Sequence, residues 1–174
     1  MKYNREMIED KYIKEEKLKY IFFWGHTQKD NKITKSCFSQ WYPCTFVVDG
    51  VTYYTAEQYM MAQKALLFQD EKMFDEIMEA KHPKEYQALG RKVRGFNEKI
   101  WNEKKGQIVI DGNYAKFSQN KPLKEFLLTT GDRILVEASP YDKVWGIKLA
   151  EDALNIENPT TWKGENMLGF DLWK

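Results

Sequence analysis

A chain of 174 residues, 43% of them hydrophobic and 30% charged, is long enough to bury a core and ordinary enough in composition to be globular. Its 27 basic and 26 acidic residues leave a net charge of +1, which excludes a global field for nucleic acid but not a local basic patch. Two histidines speak against a His-based zinc site, and no apolar run approaches the ~18 residues of a membrane span.

Residues 1–20 are charge-dense, with Met7, Ile8, Tyr12 and Ile13 in loose helical spacing. They read as a surface helix or frayed extension and are too charged for a secretory signal. The expected organisation is therefore a charged, helical N-terminal extension over 1–19 and one domain over 20–174. IFFW at 21–24 reads as a short buried strand, and GHTQKDNKITKS after it as a polar loop. FVV and VTYY flank Asp49-Gly50, a hairpin signal. Thr55 can cap a helix, and Thr55-x-x-Gln58 has capping-box spacing. From 56 to 69 the sequence is apolar on nearly every side, as expected of a buried central helix.

Helical patterns continue over 70–80, 83–93, 96–114 and 121–129, punctuated by Pro83, Gly95, Gly112 and Pro122. DRILVEAS at 132–139 alternates like a strand, 146–154 looks helical, 155–164 reads as a polar loop, and a short helix starts near Leu168. The fold class this implies is mainly α with a small β component, α+β. Six Trp, ten Tyr and ten Phe suit either a rich core or a pocket that stacks on flat ligands. Cys37 and Cys44, outside any CxxC pattern, read as reduced thiols of a cytoplasmic protein.

Glu57 and Lys64 stand out on the central helix. Glu57 falls in its first turn, where the helix dipole favours a carboxylate while burial opposes the charge. Lys64 lies about 10 Å further along the axis and can reach back, because helical side chains lean toward the N-terminus. One reading is a buried ion pair that only fixes packing; the other is a carboxylate beside a nucleophilic amine.

Seven segments then fall in a fixed order: FFWG at 22–25, FSQWYP at 38–43, AEQYMMAQKA at 56–65, LGRKVRGF at 89–96, NYAKF at 113–117, EASPYDKVWGI at 137–147 and WKGENMLG at 162–169. Together they resemble the NADAR, or YbiA-like, family, named for its association with NAD and ADP-ribose, over about residues 20–173. The resemblance implies a mostly helical domain with N-glycosidase activity that needs neither metal nor cofactor. Its described substrates are ribosylamine-type intermediates of riboflavin synthesis and ADP-ribosylated guanine in nucleic acid. It implies Glu57 and Lys64 as the family glutamate and lysine, Asp142-x-x-Trp145-Gly146 as further active-site groups, and Asn166 as a polar anchor. The chain departs from the family pattern at Lys148, where relatives carry glycine, and in ending at DLWK without a closing arginine.

The chemistry suits these residue types. Breaking an N-glycosidic bond builds oxocarbenium-like charge that a carboxylate stabilises. Asp142 would bind ribose hydroxyls or orient water, with a turn-forming role as the alternative. Trp145 would stack on a base or sugar, or else pack in the core. Arg91 is a candidate for phosphate, or a solvated surface arginine. Trp24 with Gly25, and Trp41, complete the substrate-binding candidates, with core packing the alternative for both tryptophans.

The function expected is hydrolysis of a ribosylated or ADP-ribosylated base, with no membrane and no stable protein partner inferable. The alternative is a non-catalytic reader of ADP-ribose or NAD using the same pocket. A purely structural nucleic-acid binder fits the near-neutral charge poorly.

Overall fold

The computed structural model describes residues 3–27 and 32–173; part of the polar loop, residues 28–31, lies outside them, as do both chain ends. In chain order the elements are α1 (Arg5–Ile13), β1 (Tyr20–Phe23), a 3-10 turn (Lys35–Phe38), β2 (Phe46–Val48) and β3 (Val51–Tyr53). Then come α2 (Ala56–Leu67), α3 (Glu71–Glu79), α4 (Pro83–Gly90), α5 (Glu98–Gln119) and α6 (Lys121–Leu128). The chain continues through β4 (Ile134–Glu137), a second 3-10 turn (Pro159–Thr161) and α7 (Met167–Asp171). The class is mainly α with a small β component, as the sequence indicates. Chain contacts divide it into two compact units: an inner unit, Gln40–Lys124, and a terminal unit, Met1–Ser39 with Glu125–Lys174.

In the inner unit α2 is the centre, packed against α3, α4 and α5. Thr55 caps it, its hydroxyl accepting from the Gln58 N–H at 3.0 Å. The reciprocal bond of a capping box shifts by one residue: Gln58 Oε1 accepts from Tyr54, not from Thr55. Every residue from Ala56 to Ala62 is buried, while Leu66 in the last turn is exposed. Two glycines make this close packing possible. A Cβ on Gly90 of α4 would lie 2.0 Å from the Met61 sulfur, and one on Gly112 of α5 would lie 2.5 Å from the Tyr59 ring. That need explains why α5 runs unbroken through Gly112, which by local propensity ends a helix. The Asp49-Gly50 turn joins β2 and β3 as an antiparallel hairpin, both residues at positive φ, as a type I′ turn requires. Phe46 stacks on Tyr53, and Tyr59 meets Tyr53 edge-on, with the three ring centroids 5.0–6.1 Å apart.

In the terminal unit β1 and β4 pair in parallel, Tyr20 opposite Ile134 and Phe23 opposite Glu137. Ile134, Leu135 and Val136 are all buried, a continuous apolar run rather than an alternating one. Ile8 of α1 is fully buried and joins Ile134, Val136, Ile147, Trp162 and Phe170 in one core. Cys37 in this unit and Cys44 in the inner unit form no disulfide among the described residues. Among the described residues no helix is long and apolar enough to cross a membrane.

The helical pattern at 146–154 forms no helix; the segment is a run of bends and turns. Its backbone is committed elsewhere: Ile147 N–H donates to Glu137 O at 3.0 Å and Lys148 N–H to Asp142 O at 3.0 Å. Lys148 also sits at φ 53°, in the left-handed region that ends helices. The expected buried strand at 21–24 forms as β1 but is only half-buried, with Phe23 alone buried and Trp24 beyond its end 53% exposed. The other helices and strands fall close to where the sequence places them, with ends shifted by a few residues.

Asp70 ties three segments of the inner unit together. It is buried, caps α3 at the Met73 N–H, and accepts from both the backbone and the guanidinium of Arg94. The Arg94 guanidinium, then its backbone N–H, hold the carboxyl well below the usual carboxylate range. A carboxyl depressed on folding contributes stability above its unfolded value of about 3.9, and loses it as pH falls through the folded one. Asp70→Asn should therefore melt below wild type at neutral pH, and the gap should narrow as pH drops below about 4. Thermal melts across that range check this, and a gap independent of pH contradicts it.

Candidate active site

In the inner unit Glu57 is the second residue of α2, 4% exposed, with its N–H donating to Gln40 O at 2.9 Å. That bond joins the start of α2 to the loop carrying Trp41, which is half-buried. The position gives a carboxylate the field of a helix N-terminus inside a water-poor setting. Lys64 behaves differently from its expected geometry. Its amine does not reach back to Glu57 but donates to the Gly90 carbonyl at 2.8 Å. Gly90 ends α4, where carbonyls lack helical partners and the dipole attracts a cation. The amine also lies 4.3 Å from the Phe96 ring centroid and 5.4 Å from that of Trp101. Burial, and then the charge of Arg91, lower its pKa. Arg91 itself is exposed and donates to Gln87 Oε1 at 3.2 Å.

Sequence reasoning gave no role to Gly90, Phe96 or Trp101, although the first two lie inside the LGRKVRGF segment. It also passed over Lys116 in NYAKF. That lysine is fully buried, 5.7 Å from the Tyr42 ring and 5.1 Å from the Phe117 ring. The Cys44 thiol nearby is pushed up by burial, against the charge of Lys116. A cation between Ala115 and Phe117, near the end of α5, was the available signal.

In the terminal unit Asp142 organises its own loop. Oδ1 accepts from the N–H groups of Val144 at 2.7 Å and Trp145 at 2.8 Å, leaving Oδ2 without a partner among the described residues. Trp145 is half-buried, and its carbonyl accepts from Leu168 N–H at 3.1 Å. Gly146 is buried, and a Cβ there would meet Glu137 O at 2.7 Å, so the close backbone approach requires glycine. Asn166, fully buried at φ 55°, turns its side chain onto β4: Oδ1 accepts from Glu137 N–H at 2.9 Å and Nδ2 donates to Leu135 O at 3.0 Å. The anchoring it provides is between chain segments, its amide acting as a one-residue strand. Trp24 is 53% exposed and Gly25 follows at φ 78°.

Chemically, the inner unit offers a buried carboxylate and a desolvated amine, and the terminal unit a carboxylate oxygen and a half-buried indole. No group of three or more His, Cys, Asp or Glu suited to a metal occurs among the described residues. A surface hollow lined by Glu79, Ala80, Lys81, Glu85, Ala88 and Leu89 contains none of the candidate residues.

The NADAR domain profile matches residues 22–174. The chain is 48% identical over 162 residues to N-glycosidase R617 of Acanthamoeba polyphaga mimivirus, covering 90% of this chain and 94% of that one. It is 34% identical over 119 residues to N-glycosidase Npun_R5314 of Nostoc punctiforme, covering 68% and 76%. The NMR structure of the E. coli protein YbiA superposes with a TM-score of 0.71 at 30% identity, over 89% of this chain and 81% of that one.

The setting of Lys64 predicts a titration. With its lysines reductively 13C-methylated, the Lys64 resonance should titrate below the ordinary lysine value of about 10.4, and Arg91→Ala should move it upward. An ordinary titration, unmoved by Arg91→Ala, contradicts the geometry described.

Proposed function

The chain belongs to the NADAR domain family, and on that premise we propose that it hydrolyses the N-glycosidic bond of a ribosylated or ADP-ribosylated base. Its relatives' shared name, N-glycosidase, supports a hydrolase acting on N-glycosyl bonds. The observation that carries the reading is Glu57, a carboxylate 4% exposed in the first turn of a buried helix. Two substrate classes fit: ADP-ribosyl-guanine in nucleic acid, and a phosphorylated ribosylaminopyrimidine of riboflavin synthesis.

As the bond from C1 to the base nitrogen breaks, its electron pair leaves with the base and positive charge builds over C1 and the ring oxygen. The Glu57 carboxylate meets that charge, and its low-dielectric setting strengthens the attraction. Lys64, once off the Gly90 carbonyl, adds its neutral amine to C1; ring opening yields a protonated imine. Water then hydrolyses the imine, releasing the open sugar and restoring the amine. The lowered pKa of Lys64 serves this step, because only the neutral amine is a nucleophile. A reader of ADP-ribose has no use for such an amine, which favours the enzyme over the binding module. In the terminal unit the free oxygen of Asp142 suits ribose hydroxyls or a water, and Trp145 suits stacking.

The test is to incubate the protein with an ADP-ribosylated guanine oligonucleotide and with the ribosylaminopyrimidine phosphate, scoring release of base and sugar. Glu57→Gln keeps the shape and removes the charge. It should lower turnover by roughly 10²–10⁴-fold while leaving the melt and ligand affinity close to wild type. Wild-type turnover in a folded Glu57→Gln protein overturns the assignment.

A further inference from the structure

A clamped loop of the inner unit reaches the Lys64 amine from outside its own helix. Residues 91–97 join α4 to α5 without forming helix or strand. Asp70, the buried cap of α3, grips this segment at its middle. Its Oδ2 accepts from the Arg94 N–H at 2.8 Å and its Oδ1 from the guanidinium Nε at 3.1 Å. Gly95 follows at φ 68°, a left-handed conformation that a residue with a Cβ adopts only at a cost. A Cβ there would stand 3.5 Å from Phe68 O, an ordinary contact, so the turn rather than crowding calls for glycine.

The turn delivers Phe96 onto the end of α2. Its ring meets Phe68 edge-on, with centroids 5.4 Å apart, and its centroid lies 4.3 Å from Lys64 Nζ. Phe96 is itself 46% exposed, so it gives the core less than a buried phenylalanine would. What its ring does cover is the amine. The other groups around Nζ are few: α4 brings the Gly90 carbonyl and the charge of Arg91, and α5 brings the Trp101 ring. Among the described residues no charge of α3, α5 or the hairpin adds to that of Arg91.

We propose that Asp70, Arg94 and Phe96 are positioning residues for the Lys64 amine: the Asp70–Arg94 clamp and the Gly95 turn hold the Phe96 ring over Nζ and shut water out from that side. An ammonium deprived of water loses the hydration that favours its charge, so the cover raises the share of neutral, nucleophilic amine. The ring face also attracts the ammonium, which works the other way. Burial is the larger influence on Lys64, and it lowers the pKa, so shielding prevails. The importance of the cover for turnover rests on the N-glycosidase reading; the cover itself does not.

The test uses the full chain and two readouts, with thermal melts confirming that each variant is folded. One is the NMR titration of Lys64 in 13C-methylated protein; the other is kcat against pH for unmodified protein on the substrate it turns over. Phe96→Ala should move the Lys64 midpoint upward and lower kcat at pH 7 by about three- to tenfold, since the neutral share falls tenfold for each pH unit the midpoint rises. That loss should shrink as pH is raised toward the midpoint, which a merely structural defect would not show. Phe96→Leu keeps an apolar cover without a ring face and should rescue most of both changes. Arg94→Ala releases the guanidinium but spares the backbone bond, and should shift both readouts the same way by less. A folded Phe96→Ala protein with a wild-type Lys64 titration overturns the proposal. A downward shift, or a Phe96→Leu that behaves like Phe96→Ala, also overturns it and marks attraction of the cation as the ring's role. If Phe96→Ala shifts Lys64 upward but wild type releases base from no candidate substrate, the N-glycosidase reading fails and the cover stands. If wild type turns over and Lys64 ignores Phe96, the cover alone fails.

Discussion

The burial of α2 is the constraint from which the rest of the inner unit follows. A helix with no solvent face from Ala56 to Ala62 forces Glu57 out of bulk water, where a carboxylate is costly unless its setting is built for it. Part of that setting is the helix itself, whose capped first turn points its dipole at the carboxylate. Close packing supplies the other part. α4 and α5 approach through Gly90 and Gly112, so the wall around the helix is backbone and ring rather than water. The same approach brings the last carbonyl of α4 to the Lys64 amine, with Phe96 and Trp101 alongside. One packing requirement thus produces a buried carboxylate and a desolvated amine on a single helix.

The terminal unit solves a different problem, holding an irregular loop still. Regular ladders cannot fix residues 139–148, so side chains and close backbone contacts do it. Asp142 binds two N–H groups of its own loop, and Asn166 satisfies β4 as a neighbouring strand would. The glycines at 146 and 164 let backbone lie on backbone. Loops positioned this way by a rigid scaffold are where binding residues concentrate, and here the loop presents Tyr141, Lys143 and Lys148 outward.

What was legible in the sequence was local. The Asp49-Gly50 hairpin, the Thr55 cap and the burial of α2 each follow from a few adjacent residues, and each is present. What was not legible depended on partners far along the chain. Residues 146–154 have a helical pattern, but Glu137 and Asp142 claim their N–H groups. Lys64 sits two turns from Glu57 on one helix, yet a carbonyl 26 residues away takes its amine. Asn166 could be recognised as an anchor from its motif but not as an anchor to β4, because strand pairing is invisible to local spacing. Candidate residues were thus readable by type, and their hydrogen-bond partners only from the fold.

The central claim is that the Lys64 amine is reactive rather than structural, and trapping tests it most directly. Borohydride added during turnover reduces an imine to a stable secondary amine, and peptide mass mapping locates it. The account predicts a sugar adduct on the peptide containing Lys64, none with Glu57→Gln, and a dead but folded Lys64→Ala protein. A Lys64→Ala enzyme that turns over at the wild-type rate would contradict it.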